Sequence, residues 1–270
     1  MPELPEVETI KQGLKKIVGQ KITKVFRSDK KLRITESLDL QGLVGKTILK
    51  ILRRARYLII HLSYEKSLII HLGMSGKFTN RTSFEQLKHD HFACKLSDGS
   101  WLIFNDPRRF GFVEFLETKN LNRSKIFANL GPEPLSKEFN SDYLAEKLHH
   151  KKMNIKTSLM DNKIVVGVGN IYVNESLFDA GISPLRNCCT LSGLEITRLT
   201  QSIKKIIKKA IELKGSSISD YVDFEGKKGG FQNSFKIYGR DRELCDCCQS
   251  VIKKIQQNGR ASFYCLRCQK

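Results

Sequence analysis

LMDNKIVVGVGNIYVNESLF, residues 159–178, is the stretch from which the fold can be read outward. It closes one helical pattern and opens another. Ile155–Met160 reads as a short helix and Ile171–Ala180 as a second, with Gly181 as its C-terminal stop. Gly167-Val168-Gly169 makes a glycine turn between them, and Asn170 reads as the N-cap of the second helix. A helix start presents N–H groups to anions, so a phosphate fits naturally there.

Downstream, Leu191–Leu213 is a longer amphipathic helix. Ile203, Ile206, Ile207, Ala210 and Ile211 face inward, four Lys face outward, and Gly215 is a stop. Residues 215–235 hold four Gly and several polar residues and read as a flexible loop. Upstream, Asp142–His149 is a further helix, and residues 119–140 are a connector broken by Gly131-Pro132-Glu133-Pro134. From 21 to 118 the period shifts towards strands. Arg56–Leu62 and Ser67–Leu72 form one hairpin around 63–66. His91–Leu96 and Trp101–Asn105 form another around Ser97-Asp98-Gly99-Ser100. Short antiparallel strands at this spacing predict a β-sandwich.

The 270 residues are enough for two domains, with 40% hydrophobic and 28% charged residues, as in a folded globular chain. No run of 18 apolar residues marks a membrane span, and the acidic start lacks the basic, then apolar, pattern of a signal peptide; a cytoplasmic protein is expected. The net charge of +19 and a pI near 9.6 call for a polyanionic partner. The basic residues are spread along the chain rather than gathered on one helix, which favours nucleic acid over a membrane surface.

Five of the eight cysteines fall in the last 26 residues. Cys245-x-x-Cys248 and Cys265-x-x-Cys268 make two knuckles that can close a tetrahedron around one structural Zn²⁺. Cys247 reads as a bystander, and Cys94, Cys188 and Cys189 as structural thiols. The module has too small a core to fold without the metal. Arg260 lies in the loop of its hairpin and reads as a phosphate contact, whereas Lys253 and Lys254 read as solvated charge.

The chain begins Met1-Pro2-Glu3-Leu4-Pro5-Glu6-Val7-Glu8-Thr9, a capped acidic helix start. Removal of Met1 would leave Pro2 a secondary amine, which on attacking an aldehyde-level carbon gives a cationic iminium. Glu3 beside it could shuttle protons.

PELPEVET at 2–9, IIHLGMSG at 69–76, KHDH at 88–91, DPRRFG at 106–111, LGPEPL at 130–135, the stretch 159–178, YGR at 238–240 and the terminal FYCLRCQK together resemble the formamidopyrimidine-DNA glycosylase family, nearly end to end. The resemblance implies an α+β protein. It would have an N-terminal β-sandwich catalytic domain flanked by helices (1–130), a helical helix-two-turn-helix domain with a lesion-recognition loop (131–235), and a β-hairpin zinc finger (236–270). It implies a monomeric repair enzyme acting on duplex DNA that contains oxidised purines or abasic sites. Pro2 would be the nucleophile and Glu3 the general acid/base, with Glu6 and Lys156 as active-site support: Glu6 as a further carboxylate, Lys156 with the 215–235 loop near the flipped base. Met74, Arg108 and Phe110 would fill the gap left by the extruded nucleotide. His91, Arg109, Asn170 and Arg260 would also bind DNA. The sister enzyme for oxidised pyrimidines, endonuclease VIII, shares the Pro-Glu start; the Arg108-x-Phe110 wedge favours the purine enzyme. A non-catalytic damage-binding protein of the same fold is the rival from another class. One departure stands out. In Arg53-Arg54-Ala55-Arg56-Tyr57-Leu58 an Arg precedes the Tyr where the family pattern has Lys. Arg keeps the charge but is forked and bulkier, so Arg56 is expected to bind DNA rather than act in catalysis.

Overall fold

A computed structural model of the chain describes residues 1–30, 32, 41–121, 124, 126–218 and 221–270. The β region, the connector and the 215–235 loop each include a few positions outside that set. The chain is α+β and forms two compact units: residues 1–128 with 214–230, and residues 129–213 with 231–270.

In the first unit α1 (Leu4–Leu14) precedes eight strands: β1 (Ile22–Arg27), β2 (Ile48–Arg54), β3 (Tyr57–Leu62), β4 (Lys66–His71), β5 (Lys77–Arg81), β6 (Asp90–Leu96), β7 (Trp101–Asn105) and β8 (Phe112–Glu117). They make two antiparallel sheets, ordered β1-β6-β7-β5 and β2-β3-β4-β8. The β3–β4 hairpin closes on Tyr64 and Glu65, both at positive φ, as a tight turn matched to strand twist requires. Alternation then sends Leu58, Ile60, Leu62, Leu68 and Ile70 into one hydrophobic cluster with Phe92, Cys94, Leu102 and Phe104 of the other sheet. Val7, Ile10 and Leu14 of α1 join the same cluster.

Tyr221 and Phe224 join it too. The 215–235 segment was expected to belong with the helical region. Instead residues 214–230 pack in the first unit, because two aromatic side chains bury there and Phe224 lies against Gly13 of α1.

The second unit contains α2 (Ser141–Leu148), α3 (Ile155–Leu159), α4 (Asn170–Asp179), α5 (Gly193–Glu212) and the hairpin of β9 (Lys253–Gln257) and β10 (Arg260–Tyr264). Ile203, Ile206, Ile207 and Ala210 of α5 are buried, as its period predicts; Ile211 is half-buried. Ser192 and Glu195 form a capping box at its start. Asn170 is the first residue of α4 and Gly169 its N-cap, one place earlier than expected. The cysteine module is not a separate body. Ile237, Cys245, Ile252, Phe263 and Cys265 form a small core against which Phe178 of α4 packs. Among the described residues no helix is long and apolar enough to cross a membrane.

Candidate active site

Pro2 and Glu3 are buried at the start of α1, where Glu3 is the N-cap. Glu6, one turn on, holds this end in place. One of its carboxylate oxygens accepts the Glu3 N–H at 2.8 Å, and the other accepts the Ser216 N–H at 2.7 Å. Tyr221 adds a hydroxyl donated to the Glu6 carbonyl at 3.3 Å. Gly215 sits at φ +76°, and a Cβ there would lie 2.7 Å from the Glu6 carboxylate, so the close approach requires glycine. Sequence reasoning made Glu6 an active-site carboxylate; the structure makes it the clasp between α1 and the 214–230 segment. Arg56, in the β2–β3 turn, reaches the Met1 thioether at 3.7 Å. It therefore stands beside the chain's first residue, with Ala55 at φ +52° shaping the turn.

Two loops carry the expected wedge. Met74 follows β4 and is 43% exposed; Phe110 precedes β8 and is 46% exposed. Arg108 is exposed and its guanidinium lies 4.8 Å from the centre of the Phe110 ring. Gly73 and Gly111 bring the two loops into backbone contact: a Cβ on Gly73 would meet the Gly111 nitrogen at 2.4 Å. Arg109 is exposed at φ +56°. Large apolar groups presented to solvent beside a cation suit insertion into a base stack better than core packing.

His91 departs from expectation. It is 2% exposed, so its ring offers no surface to DNA. Its Nε2 donates to the Asp106 carbonyl at 3.0 Å, which leaves Nδ1 to accept the Ser28 hydroxyl at 3.0 Å. Burial lowers its pKa and favours the neutral ring. His91 supports the 106–111 loop from beneath.

Lys156 also departs. It is 1% exposed, and its ammonium donates to the Ala261 carbonyl and the Ser262 hydroxyl, each at 2.7 Å. Burial, and secondarily the Arg260 charge, push its pKa down to about 8. Instead of meeting a base, this lysine ties α3 to the strand that begins with Arg260. Asn258 and Gly259 turn that hairpin with positive φ at both positions, and Arg260 is exposed at its tip. Asn170 is half-buried, and its side-chain oxygen has no hydrogen-bond partner among the described residues.

Cys245, Cys248, Cys265 and Cys268 are brought together, their sulfurs all within 4.8 Å of one another. Four thiols at that separation can hold one metal ion, and the soft donor set leaves no position for substrate. Cys247 is exposed and stands outside the cluster. Sequence reasoning missed Glu175 of α4. Its buried carboxylate accepts the backbone N–H groups of Lys236, Ile237 and Tyr238 at 2.8–3.2 Å, anchoring the entry to the cysteine module. Burial raises its pKa against those bonds. A glutamate set between Val173 and Leu177 in the predicted helix was the available signal.

The sandwich with its Pro-Glu start and the helical unit with its four-cysteine cluster together define a helix-two-turn-helix protein with a terminal metal-binding hairpin. Residues 1–113 match the formamidopyrimidine-DNA glycosylase N-terminal domain, and residues 130–222 the formamidopyrimidine-DNA glycosylase H2TH domain. A formamidopyrimidine-DNA glycosylase of Rickettsia bellii is 46% identical over the full length of both chains. That of Acinetobacter baylyi is 43% identical over all of this chain and 98% of its own. A variant of the Lactococcus lactis FPG, solved with Fapy-dG containing DNA, superposes with a TM-score of 0.93 at 38% identity, covering both chains fully. MutM in complex with carbocyclic 8-oxo-G containing DNA gives 0.91 at 38% identity, again over both whole chains. The chain belongs to the formamidopyrimidine-DNA glycosylase family.

Proposed function

We propose that this chain excises oxidised purines, 8-oxoguanine and ring-opened formamidopyrimidines, from duplex DNA and then cleaves the strand at the resulting site. The observation that carries this reading is the amino terminus. Pro2 and Glu3 are fixed at the head of α1 by Glu6 and Ser216, with the Arg56 guanidinium beside Met1. Once Met1 is removed, the nearby cation favours the neutral, nucleophilic form of the Pro2 amine. Pro2 nitrogen bonds to C1′ as the C1′–base bond breaks, and the base leaves with the electron pair and a proton. Glu3 moves protons as the sugar ring opens to the iminium. The iminium acidifies C2′–H. Its loss expels the 3′ phosphate, and a second elimination expels the 5′ phosphate, leaving a one-nucleotide gap.

The other groups serve binding. Met74, Arg108 and Phe110 fill the space vacated by the extruded nucleotide, which offsets a few kcal/mol of lost stacking. Arg56, Arg109, Asn170 and Arg260 take phosphates, and Lys156 holds the hairpin that presents Arg260. The four cysteines hold one structural Zn²⁺, which stabilises that hairpin. The protein works as a monomer in the cytoplasm.

The test is a product assay on three duplexes, carrying 8-oxoguanine opposite cytosine, an oxidised pyrimidine, or an abasic site. Base release from the first and gapped products from the first and third are expected. Release from the pyrimidine duplex alone would move the chain to the endonuclease VIII activity. Tight binding without any product would make it a damage-binding protein.

A further inference from the structure

Beneath the Met74 and 108–110 loops lies Asp106, fully buried. Its carboxylate bonds in both directions. One oxygen accepts the Ser75 hydroxyl at 2.6 Å and the Arg108 N–H at 3.3 Å; the other accepts the Gly111 N–H at 2.8 Å. Its main chain is equally engaged. The carbonyl accepts His91 Nε2 at 3.0 Å and the Arg109 N–H at 3.2 Å, and the N–H donates to the His89 carbonyl at 3.0 Å. One acid thus grips the residue after Met74, the main chain of Arg108 and the residue after Phe110. Ser75 Oγ is also 3.3 Å from the Arg108 nitrogen, so the three groups close a small ring.

A buried carboxylate is costly unless several donors converge on it. Burial here makes sense if the two loops must keep one geometry. We infer that Asp106 is a positioning residue that locks the Met74 turn and the 108–110 loop into a single rigid wedge, and so governs extrusion of the damaged nucleotide rather than the chemistry at Pro2. The inference rests on the wedge role proposed above for Met74, Arg108 and Phe110. Asparagine in place of Asp106 would aim an amide N–H₂ at a group that is itself a donor, so at least one of the three bonds would become a repulsion. Alanine at Ser75 removes one donor to Asp106 and the longer, 3.3 Å acceptor of the Arg108 N–H, and leaves the other two bonds to the carboxylate in place.

The experiment uses the full, metal-loaded chain and single-turnover conditions. A duplex with 2-aminopurine beside 8-oxoguanine reports unstacking by fluorescence; base release and cleavage of a preformed abasic site are timed separately. D106N should slow both the fluorescence rise and base release about tenfold, and S75A about threefold, the scale of one charge-assisted or one ordinary hydrogen bond. Abasic-site cleavage should stay within about twofold, because that strand needs no intact base extruded. Adding M74A to D106N should cost little more than D106N alone, since both act through the wedge. Equal losses in base release and abasic cleavage, or an additive M74A effect, would overturn the inference. S75A supplies the same contrast if D106N fails to fold. Wild-type protein that releases no base would overturn the functional reading and this inference with it. An active wild type with indifferent variants would overturn the inference alone.

Discussion

Both carboxylate oxygens of Glu6 receive backbone N–H groups, from Glu3 and from Ser216. Glu6→Gln replaces one acceptor by a donor that faces a donor, and should destabilise the first unit by about 1.5–3 kcal/mol. Calorimetry measures the loss, and limited proteolysis should show faster cutting within 214–230; an unchanged cleavage pattern would mean that the segment is held elsewhere. Lys156→Met should cost about 1–3 kcal/mol at neutral pH through the two lost bonds to β10. A pH dependence accompanies it. The folded-state pKa of Lys156 is about 8, below the ordinary 10.5. Between those values the unfolded chain binds more protons at this site, so its contribution to stability rises with pH. The neutral amine still has two N–H groups for its two acceptors. The melting-temperature gap between wild type and K156M should therefore widen from pH 8 to pH 10; a gap that narrows contradicts the assignment. The four-cysteine cluster was legible from spacing, and Pro2 and Glu3 were candidates from residue chemistry. His91 and Lys156 were misplaced because a motif gives a residue's company, not its burial. Asp106 stayed hidden because its partners lie in separate stretches, at 75, 91 and 108–111.

Elements were most legible where contacts are local. The β3–β4 and β6–β7 hairpins follow from alternation and turn residues, and α5 from its period. β1, β5 and β8 were not individually legible, since their pairing spans long intervals: β1 pairs with β6, β5 with β7, and β8 with β4. β2 escaped notice although it closes a tight hairpin with β3, because its Arg- and Lys-rich run alternates weakly. The placement of 214–230 was missed for a related reason. Glycine content signalled a loop, but Tyr221 and Phe224 decide where it packs. The contact between the Met74 and 108–110 loops depends on the close approach of Gly73 to Gly111. Gly73→Ala would set a Cβ 2.4 Å from the Gly111 nitrogen at a residue with φ +61°. It should cost on the order of 2 kcal/mol through strain at the left-handed position, and more if the loops separate. Thermal melting gives the stability loss, and base release should fall with it; full activity at wild-type stability would show that the loops need not touch.

For the whole molecule the net charge of +19 sets the mode of binding. DNA affinity should fall log-linearly with salt, and Arg260→Ala should reduce the magnitude of the slope by about 0.9, one phosphate contact. An unchanged slope would take Arg260 off the phosphate. On the proposed function, chelation should release one Zn²⁺ per chain and abolish DNA binding, while the far-UV signal of the sandwich persists, because the four cysteines belong to the second unit. The chemistry is tested most directly by borohydride reduction of the protein on an abasic-site duplex, followed by mass mapping of the cross-linked peptide. The account predicts a stable adduct on an N-terminal peptide that lacks Met1 and carries the sugar on the Pro2 nitrogen. An adduct on a lysine, or no adduct from a chain that cleaves the strand, would contradict it.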